Sequence, residues 1–255
     1  MAGGVNPLNK AENAQRIAKV IARAGVCSRR DAERWIVDGR VSVNGIILET
    51  PAFTVGPADA IMIDGKPLPA FEAPRLFLYH KPAGLVTTAR DEKNRPAVFD
   101  NLPPGLPRVV SVGRLDLNSE GLLLLTNDGG LARHLELPSN SWKRRYRVRV
   151  HGTVRLAALA ELARGITVEG VKYGPIEAAI EREQTGANAW LTVTLQEGKN
   201  REIRKVMAHV GLQVNRLIRT AYGSFELDDL ASGSVIEVPA KLLKQRIPLY
   251  FAQQH

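Results

Sequence analysis

The segment GRLDLNSEGLLLLTNDG, residues 113–129, joins a polar loop to an apolar strand. Its four consecutive leucines, 122–125, have no polar interruption, which is typical of a strand buried on both faces. This strand is predicted to end at the turn 127–129. A second short apolar run, 109–112, precedes the loop, so two core strands hold a loop that carries Asp116. A carboxylate held in this way is well placed for chemistry, although Asp116 could also merely cap the loop by accepting hydrogen bonds from backbone N–H groups.

The chain around this segment is rich in strands and poor in helices. Helices are predicted near 155–164 and 201–210. The predicted strands are Leu76–Tyr79, Val109–Val112, Leu122–Thr126, Tyr146–Val150 and Trp190–Leu195. Because parallel βαβ repeats would need a helix between most strands, the sequence predicts an α+β fold with a mostly antiparallel, mixed sheet over residues 76–250.

Residues 15–68 predict a separate small α/β domain. Two short helices each show one apolar face, and the second begins at Ser28, with Asp31 placed for a capping box. Short strands follow, joined at Asn44-Gly45 by a tight turn. Residues 69–75 are rich in proline and predict a linker, whereas residues 1–14 show no periodic pattern and predict a disordered start.

Composition limits the possible functions. The chain of 255 residues has 35 Lys+Arg against 26 Asp+Glu, a formal net charge of +9, which favours a polyanionic partner. No apolar run is long enough to span a bilayer, no secretory signal is evident, and Cys27 is the single cysteine. We therefore expect a cytoplasmic protein that does not bind membranes, with a monomer as the default state.

The two helices of the small domain concentrate positive charge. Residues 16–40 contain seven basic and three acidic residues. A solvated charged surface and a phosphate-binding surface explain this excess equally well on charge alone. The second helix begins with Ser28-Arg29-Arg30, where backbone N–H groups also favour phosphate.

Residues 18–45, AKVIARAGVCSRRDAERWIVDGRVSVNG, resemble the S4 RNA-binding domain. The matching landmarks include Ala24-Gly25, Ser28-Arg29-Arg30 and Val43-Asn44-Gly45. The resemblance implies binding to structured RNA and makes Arg29, Arg30 and Arg34 candidate RNA contacts.

Residues 113–129 resemble the signature of pseudouridine synthases of the RsuA/RluB/RluE/RluF type, in which Gly-Arg-Leu-Asp precedes a polar turn and Gly-Leu-Leu-Leu-Leu-Thr. The resemblance implies that Asp116 is the catalytic aspartate. The family's early Lys-Pro-x-Gly turn has its counterpart in residues 81–84, and its late motif in EGKNREIRK, residues 197–205. The resemblance also implies that Tyr146 packs against the target base and that Arg204 is the basic residue that pairs with the aspartate.

Helical geometry is consistent with that role for Arg204. With Asn200 as N-cap, Arg204 is expected at the edge of the helix's buried face, where its guanidinium would need a carboxylate partner. Asp116 is the expected partner, and the cation would favour the ionised carboxylate that a nucleophile requires.

The candidate RNA contacts of the large domain are Lys81, Arg114, Lys143, Arg144, Arg145, Lys199 and Arg201.

The reaction implied by the resemblance detaches uracil from C1′ and rejoins it through C5, which requires no redox change. Neither HExxH, Cys-x-x-Cys, a P-loop nor GxGxxG is present, so no cofactor and no metal are expected. Asp116 could attack C1′, as a glycosidase carboxylate does, or remove a ribose proton and pass through a glycal. Either route requires the target base to leave its stack.

The late segment, residues 200–223, most resembles the enzymes of the large ribosomal subunit, which implies 23S rRNA or a large-subunit assembly intermediate as partner. Three other interpretations remain open. The first is a synthase that acts on small-subunit 16S rRNA. A non-catalytic S4-type assembly protein would explain the charge but not the Asp116 motif. A glycoside hydrolase could use Asp116 and Glu120 as paired carboxylates, but a basic surface is a poor match to a neutral sugar.

Overall fold

The computed structural model describes residues 14–88, 91–181 and 186–252, which form two compact units that divide between Pro74 and Arg75. This boundary lies within the proline-rich segment 69–75. The predicted disordered start, residues 1–14, lies outside the described residues apart from its last position. Within the described part of the chain, every helix is too short or too polar to cross a membrane.

The small unit consists of two helices and two small antiparallel sheets. Its elements are β1 (Gln15–Arg16), α1 (Ile17–Arg23), α2 (Arg29–Val37), β2 (Val41–Val43), β3 (Ile46–Ile47), β4 (Thr54–Val55), β5 (Ile61–Ile63) and β6 (Lys66–Pro67). Strands β1 and β4 pair with each other, and the other sheet has the order β3-β2-β5-β6. The apolar faces of both helices share one core with β2 and β5.

Local sequence signals explain the small unit well. The Oγ of Ser28 accepts a hydrogen bond from the Asp31 backbone N–H (3.0 Å), and the Ser28 N–H donates to the Asp31 carboxylate (3.3 Å), so the predicted capping box is confirmed. Asn44 and Gly45 have φ values of 52° and 84°, as a two-residue hairpin turn of type I′ requires. Trp35 on α2 is only half-buried, and the Arg40 guanidinium covers its ring at 4.6 Å.

The large unit is built on one extended sheet with helices on both faces. Its elements are β7 (Leu76–Lys81), β8 (Val110–Ser111), β9 (Glu120–Thr126), α3 (Gly129–Glu136), β10 (Arg144–His151), α4 (Leu156–Leu162), β11 (Ile166–Val168), β12 (Val171–Tyr173), β13 (Ile176–Ile180), β14 (Asn188–Leu195), α5 (Glu202–His209), β15 (Gln213–Tyr222), β16 (Phe225–Glu226), β17 (Val235–Glu237), α6 (Ala240–Arg246) and α7 (Pro248–Ala252).

The main sheet has the order β13-β14-β10-β15-β9-β7-β17, with β16 added to β15 and β8 added to β9. Strands β9 and β15 run parallel where they pair, at Ile218–Glu120 and Arg219–Gly121, and the other neighbours run antiparallel. The predicted α+β fold with a mostly antiparallel mixed sheet is thus confirmed.

The leucine run of β9 is buried on both faces, as its uninterrupted apolar sequence predicts. Leu123 and Leu125 pack in a core that includes residues of α4 and α5. Leu122 and Leu124 pack on the opposite face in a second core that includes residues of α3, α6 and α7. Strand β9 is therefore a rigid support for the loop that precedes it.

Candidate active site

The loop 113–119, which joins β8 to β9, positions Asp116. Its backbone is fastened at several points: the Ser119 N–H donates to the Asp116 carbonyl (3.0 Å), and the Gly84 N–H donates to the Leu117 carbonyl (2.8 Å). The Thr87 hydroxyl donates to the Leu115 carbonyl at 2.9 Å. The turn after β7 thus holds the Asp116 loop in one conformation, while the Asp116 side chain stays 36% exposed.

Lys81 lies beneath this loop. The sequence suggested that it is an RNA contact, but its side chain is buried. Its side chain is 0% exposed, and Nζ donates to the carbonyl oxygens of Ser119 (2.8 Å), Pro82 (2.9 Å) and Leu117 (3.4 Å). Lys81 pairs with Gly121 in the β7–β9 register, which places the lysine inside the unit and not at its surface. Burial lowers the pKa of Lys81 to about 8, against the opposing effect of the nearby carboxylates.

Among the described residues, the cation nearest to Asp116 is Arg201, not the predicted partner Arg204. Arg201 Nη1 lies 4.0 Å from Asp116 Oδ2. The Arg204 guanidinium donates instead to the carbonyl oxygens of Asn118 and Val214, both at 3.1 Å. Burial is the main cause that lowers the pKa of Arg204, followed by the charge of Arg201, and Asp116 acts in the opposite direction. Arg204 therefore fixes the backbone of the Asp116 loop and influences the carboxylate through space.

The entry to α5 explains this difference. The N-cap is Arg201, with a left-handed φ of 52°, and not the predicted Asn200. The side chain of Glu202 accepts a hydrogen bond from the Lys199 backbone N–H at 2.9 Å and closes the turn. The left-handed residue brings the Arg201 guanidinium to Asp116 and leaves Arg204, half-buried as predicted, one turn further along the helix.

A cavity of about 780 Å³ opens beside Asp116. Tyr146, 9% exposed, lines the cavity from β10, and Leu217 and Arg219 line it from β15. Such a volume is typical of a pocket for a small molecule or a single nucleotide. The structure thus brings Asp116 and Tyr146 together, whereas Arg204 lines a separate, shallower cavity of about 530 Å³ that Arg201 shares.

The sequence interpretation gave no role to Arg219, which is 3% exposed at the edge of the cavity. Its Nε donates to the Leu122 carbonyl at 2.7 Å, and its guanidinium lies 5.3 Å from the centre of the Tyr222 ring. The signal that would have found it is a lone arginine at an inward position within the strand Gln213–Tyr222, where a buried charge needs a purpose.

Gly121 allows β15 to approach β9 at this point. Its φ is +99°, and a Cβ built on it would lie 2.7 Å from the Arg219 nitrogen and closer still to the Arg219 carbonyl oxygen. The close approach of the two parallel strands joins the Asp116 loop to the strand that carries Leu217 and Arg219.

Arg144, another predicted RNA contact, is committed to the protein. Its guanidinium donates to the carbonyl oxygens of Trp142 (3.2 Å) and Gln196 and to the hydroxyl of Tyr222 (2.7 Å). The Tyr222 hydroxyl donates in turn to the Leu135 carbonyl at 2.7 Å, and burial raises the pKa of Tyr222. Arg144 therefore holds one wall of the cavity.

The remaining predicted RNA contacts are exposed, and most have an acidic neighbour. Arg114 and Arg30 have no ion-pair partner among the residues that the structure describes. The ion pairs of the others are Lys143–Glu177, Arg145–Glu226, Lys199–Glu197, Arg29–Glu33 and Arg34–Asp31. Exposed pairs of this kind are weak, so they leave the side chains able to exchange a carboxylate for a phosphate.

The sequence and fold of the chain match known proteins. The model for the RNA pseudouridylate synthase family matches residues 75–209, and that for the S4 domain matches residues 15–61. A solved structure, described as a pseudouridylate synthase, superposes with a TM-score of 0.64 at 25% identity, covering 91% of this chain and 99% of that one.

Curated relatives agree. An uncharacterized RNA pseudouridine synthase of Rickettsia felis is 47% identical over 91% of this chain and all of that protein. Ribosomal large subunit pseudouridine synthase B of Escherichia coli O157:H7 is 44% identical over 84% of this chain and 75% of that protein. The chain therefore belongs to the RNA pseudouridine synthases. Within them it is of the RsuA/RluB type with an N-terminal S4 domain, and it is an enzyme that acts on RNA.

Proposed function

We propose that this enzyme converts a uridine of large-subunit ribosomal RNA to pseudouridine, with Asp116 as the carboxylate that acts on the ribose. The observation that carries the proposal is the cavity beside Asp116, which Tyr146 lines on a neighbouring strand. The likeness to a large-subunit synthase B over most of the chain supports the choice of RNA. A cytoplasmic location, where ribosomal RNA is assembled with protein, belongs to the same proposal.

The geometry suggests a role for each group. The target uridine leaves its helix and enters the cavity, where its base stacks on the ring of Tyr146. The C1′–N1 bond breaks, the base turns and C5 forms a bond to C1′; C5 then loses its proton and N1 gains one. Asp116 either attacks C1′ or removes a ribose proton, and both routes use its ionised form.

Exposed cations supply the remaining contacts with RNA in this proposal. Arg114 and Arg201 flank Asp116 in the large unit, and Arg29, Arg30 and Arg34 lie on helix α2 of the small unit. Phosphate contacts of this kind fix the position of the RNA without reading its sequence. The expected monomeric state remains a prediction.

Pseudouridine mapping on unmodified ribosomal RNA tests the proposal, with carbodiimide labelling and primer extension as the readout. A new stop in 23S rRNA with the wild-type enzyme, absent with Asp116→Asn, is the expected result. A stop only in 16S rRNA would contradict the large-subunit target, and a stop that persists with Asp116→Asn would contradict the role of Asp116. Large-subunit assembly intermediates run in parallel separate naked RNA from precursor particles as the substrate.

A further inference from the structure

Arg219 is a buried cation with an incomplete set of partners. It is 3% exposed, its Nε donates to the Leu122 carbonyl (2.7 Å), and its Nη2 is shielded from solvent and has no hydrogen-bond partner within residues 14–88, 91–181 and 186–252. Among the described residues, no carboxylate lies within 4.0 Å of its guanidinium. Burying a charge without a counterion is costly, so a retained arginine of this kind calls for an explanation.

The carboxylates that share the cavity with Arg219 are directed elsewhere. Glu136 accepts a hydrogen bond from the Gly113 N–H, and Glu202 accepts one from the Lys199 N–H. Glu197 pairs with the Lys199 ammonium, and Asp116 has Arg201 as its ion-pair neighbour. The positive charge of Arg219 is therefore left without a local counterion on its side of the cavity.

The sheet register places this charge next to the proposed stacking ring. Tyr146 and Arg219 are direct partners in the antiparallel pairing of β10 and β15, so their side chains project from the same face of the sheet. Both side chains line the cavity that contains Asp116. A base stacked on the Tyr146 ring would thus lie on the same face of the sheet as the Arg219 guanidinium and in the same cavity.

The chemistry of the reaction favours a positive charge near the base. When the C1′–N1 bond breaks, its electron pair stays with the base, and the negative charge spreads from N1 onto the two carbonyl oxygens. The later attack of C5 on C1′ places an electron pair of the base in the new bond and so consumes this charge, after which C5 loses its proton and N1 gains one. We propose that Arg219 is a catalytic residue whose guanidinium stabilises the detached uracil anion. This inference rests on the proposed function, but it holds for direct attack and for the glycal route alike.

A purely structural role would explain less. Tyr222, the aromatic neighbour of Arg219, is already held by the Arg144 guanidinium, which lies 4.7 Å from the ring centre and binds its hydroxyl. In the part of the chain that the structure describes, Arg219 adds a hydrogen bond to Leu122 and leaves Nη2 unused. A positive charge that is fixed in place and desolvated stabilises a developing anion far more strongly than one in water.

The first test compares Arg219→Met with the wild type on a hairpin around the uridine that mapping identifies. We expect the single-turnover rate of pseudouridine formation to fall about 100-fold, while RNA affinity changes less than about threefold. Arg219→Lys, which keeps the charge, should lose only about tenfold. A rate within about fivefold of the wild type for Arg219→Met, or an affinity loss as large as the rate loss, would overturn the proposal.

Arg246→Gln is the matched control, because Arg246 also covers an aromatic ring (Phe225, 5.4 Å) but lies away from the cavity. It should leave the rate within about twofold of the wild type, as is usual for surface substitutions. Thermal melting of each variant monitors folding. If Arg219→Met does not fold, Arg219→Lys replaces it in the second test, which compares uridine with 5-fluorouridine.

The second test changes the base instead of the protein. Fluorine at C5 withdraws electrons and stabilises the uracil anion, so detachment of 5-fluorouracil should depend less on Arg219. The rate at which each enzyme consumes 5-fluorouridine in the same hairpin is measured by nuclease digestion and mass spectrometry. With this base, the ratio of the wild-type rate to the variant rate should be about tenfold smaller than with uridine. An unchanged gap would mean that Arg219 acts on folding or binding and would overturn the proposal. Asp116→Asn should consume neither base, and its consumption of either would refute the role of Asp116 separately.

Discussion

The ammonium of Lys81 lies 2.8 Å from the carbonyl oxygen of Ser119, three residues after Asp116. Two further carbonyl oxygens, those of Pro82 and Leu117, complete its surroundings, so a buried cation replaces the water that would otherwise solvate the loop backbone. The position of the Asp116 loop is thereby linked to the protonation of one lysine.

This link predicts a pH dependence of activity. The pKa of Lys81 is about 8 in the folded protein, against an ordinary value of 10.5. Above pH 8 the amine keeps two N–H donors for its three carbonyl neighbours, so one of these carbonyls, two of which belong to the loop, loses its partner. We expect the single-turnover rate of the wild type to fall above pH 8. Lys81→Met should be slower at neutral pH and flat between pH 7 and about 9.5, and a decline at the same pH in this variant would assign the titration to another group.

Stability should change in the opposite direction to activity. Because the folded-state pKa of Lys81 lies below the unfolded-state value, the unfolded chain binds the extra proton between pH 8 and 10.5. The contribution of Lys81 to the free energy of unfolding therefore rises as pH increases through this window and is lost as pH falls through 8, by at most about 3 kcal/mol. Urea unfolding of the wild type minus that of Lys81→Met, measured at pH 7 and pH 10, gives the sign directly.

Gly121 should be intolerant of any side chain. In Gly121→Ala the new Cβ would overlap the Arg219 backbone, and the φ of +99° would be strained as well. We expect a loss of about 3 kcal/mol in the free energy of unfolding and a matching loss of activity. Gly129→Ala is the control, since a Cβ there meets open space at the start of α3. Equal unfolding free energies for the two variants would contradict the close approach of β9 and β15.

The sequence predicted well the features that depend on neighbouring residues along the chain. The leucine run of β9, the capping box at Ser28 and the turn at Asn44-Gly45 are local, and all three are confirmed. Strand β15 was not predicted as a strand, because Asn215, Arg216 and Arg219 interrupt its apolar pattern.

The missed or misassigned residues have a common cause in tertiary pairing. Lys81 looks like a surface lysine in a turn until its pairing with Gly121 places it inside the unit. Arg219 shares a face with Tyr146 only through the β10–β15 register. The left-handed backbone of Arg201 has no sequence signal, since arginine has no preference for that conformation. The approach of Arg201 to Asp116 was therefore not predicted, and the family resemblance alone had named Arg204 as the partner.

Arg201 and Arg204 should therefore differ in what they support. Arg204→Gln removes a half-buried guanidinium from the Asn118 and Val214 carbonyls, which should cost about 2 kcal/mol in the free energy of unfolding. Arg201→Gln removes a half-exposed cation 4.0 Å from Asp116 and should cost less than about 0.5 kcal/mol. Chemical denaturation of both variants measures the difference. A larger loss of stability for Arg201→Gln than for Arg204→Gln would contradict the assignment of Arg204 as the residue that holds the loop backbone.

Removal of the hydroxyl should have little effect at Tyr146 and should destabilise the fold at Tyr222, although both tyrosines line the cavity. Tyr146 makes no hydrogen bond through its hydroxyl within the described part of the chain, and stacking needs only its ring, so Tyr146→Phe should keep the rate within about threefold. Tyr146→Leu removes the ring and should lose about 100-fold in rate, with folding preserved. Tyr222→Phe breaks buried hydrogen bonds to Arg144 and Leu135 and should cost about 1–3 kcal/mol in the free energy of unfolding. Single-turnover rates and melting curves for the three variants separate the roles, and a Tyr146→Phe variant as inactive as Tyr146→Leu would place the hydroxyl, rather than the ring face, in the reaction.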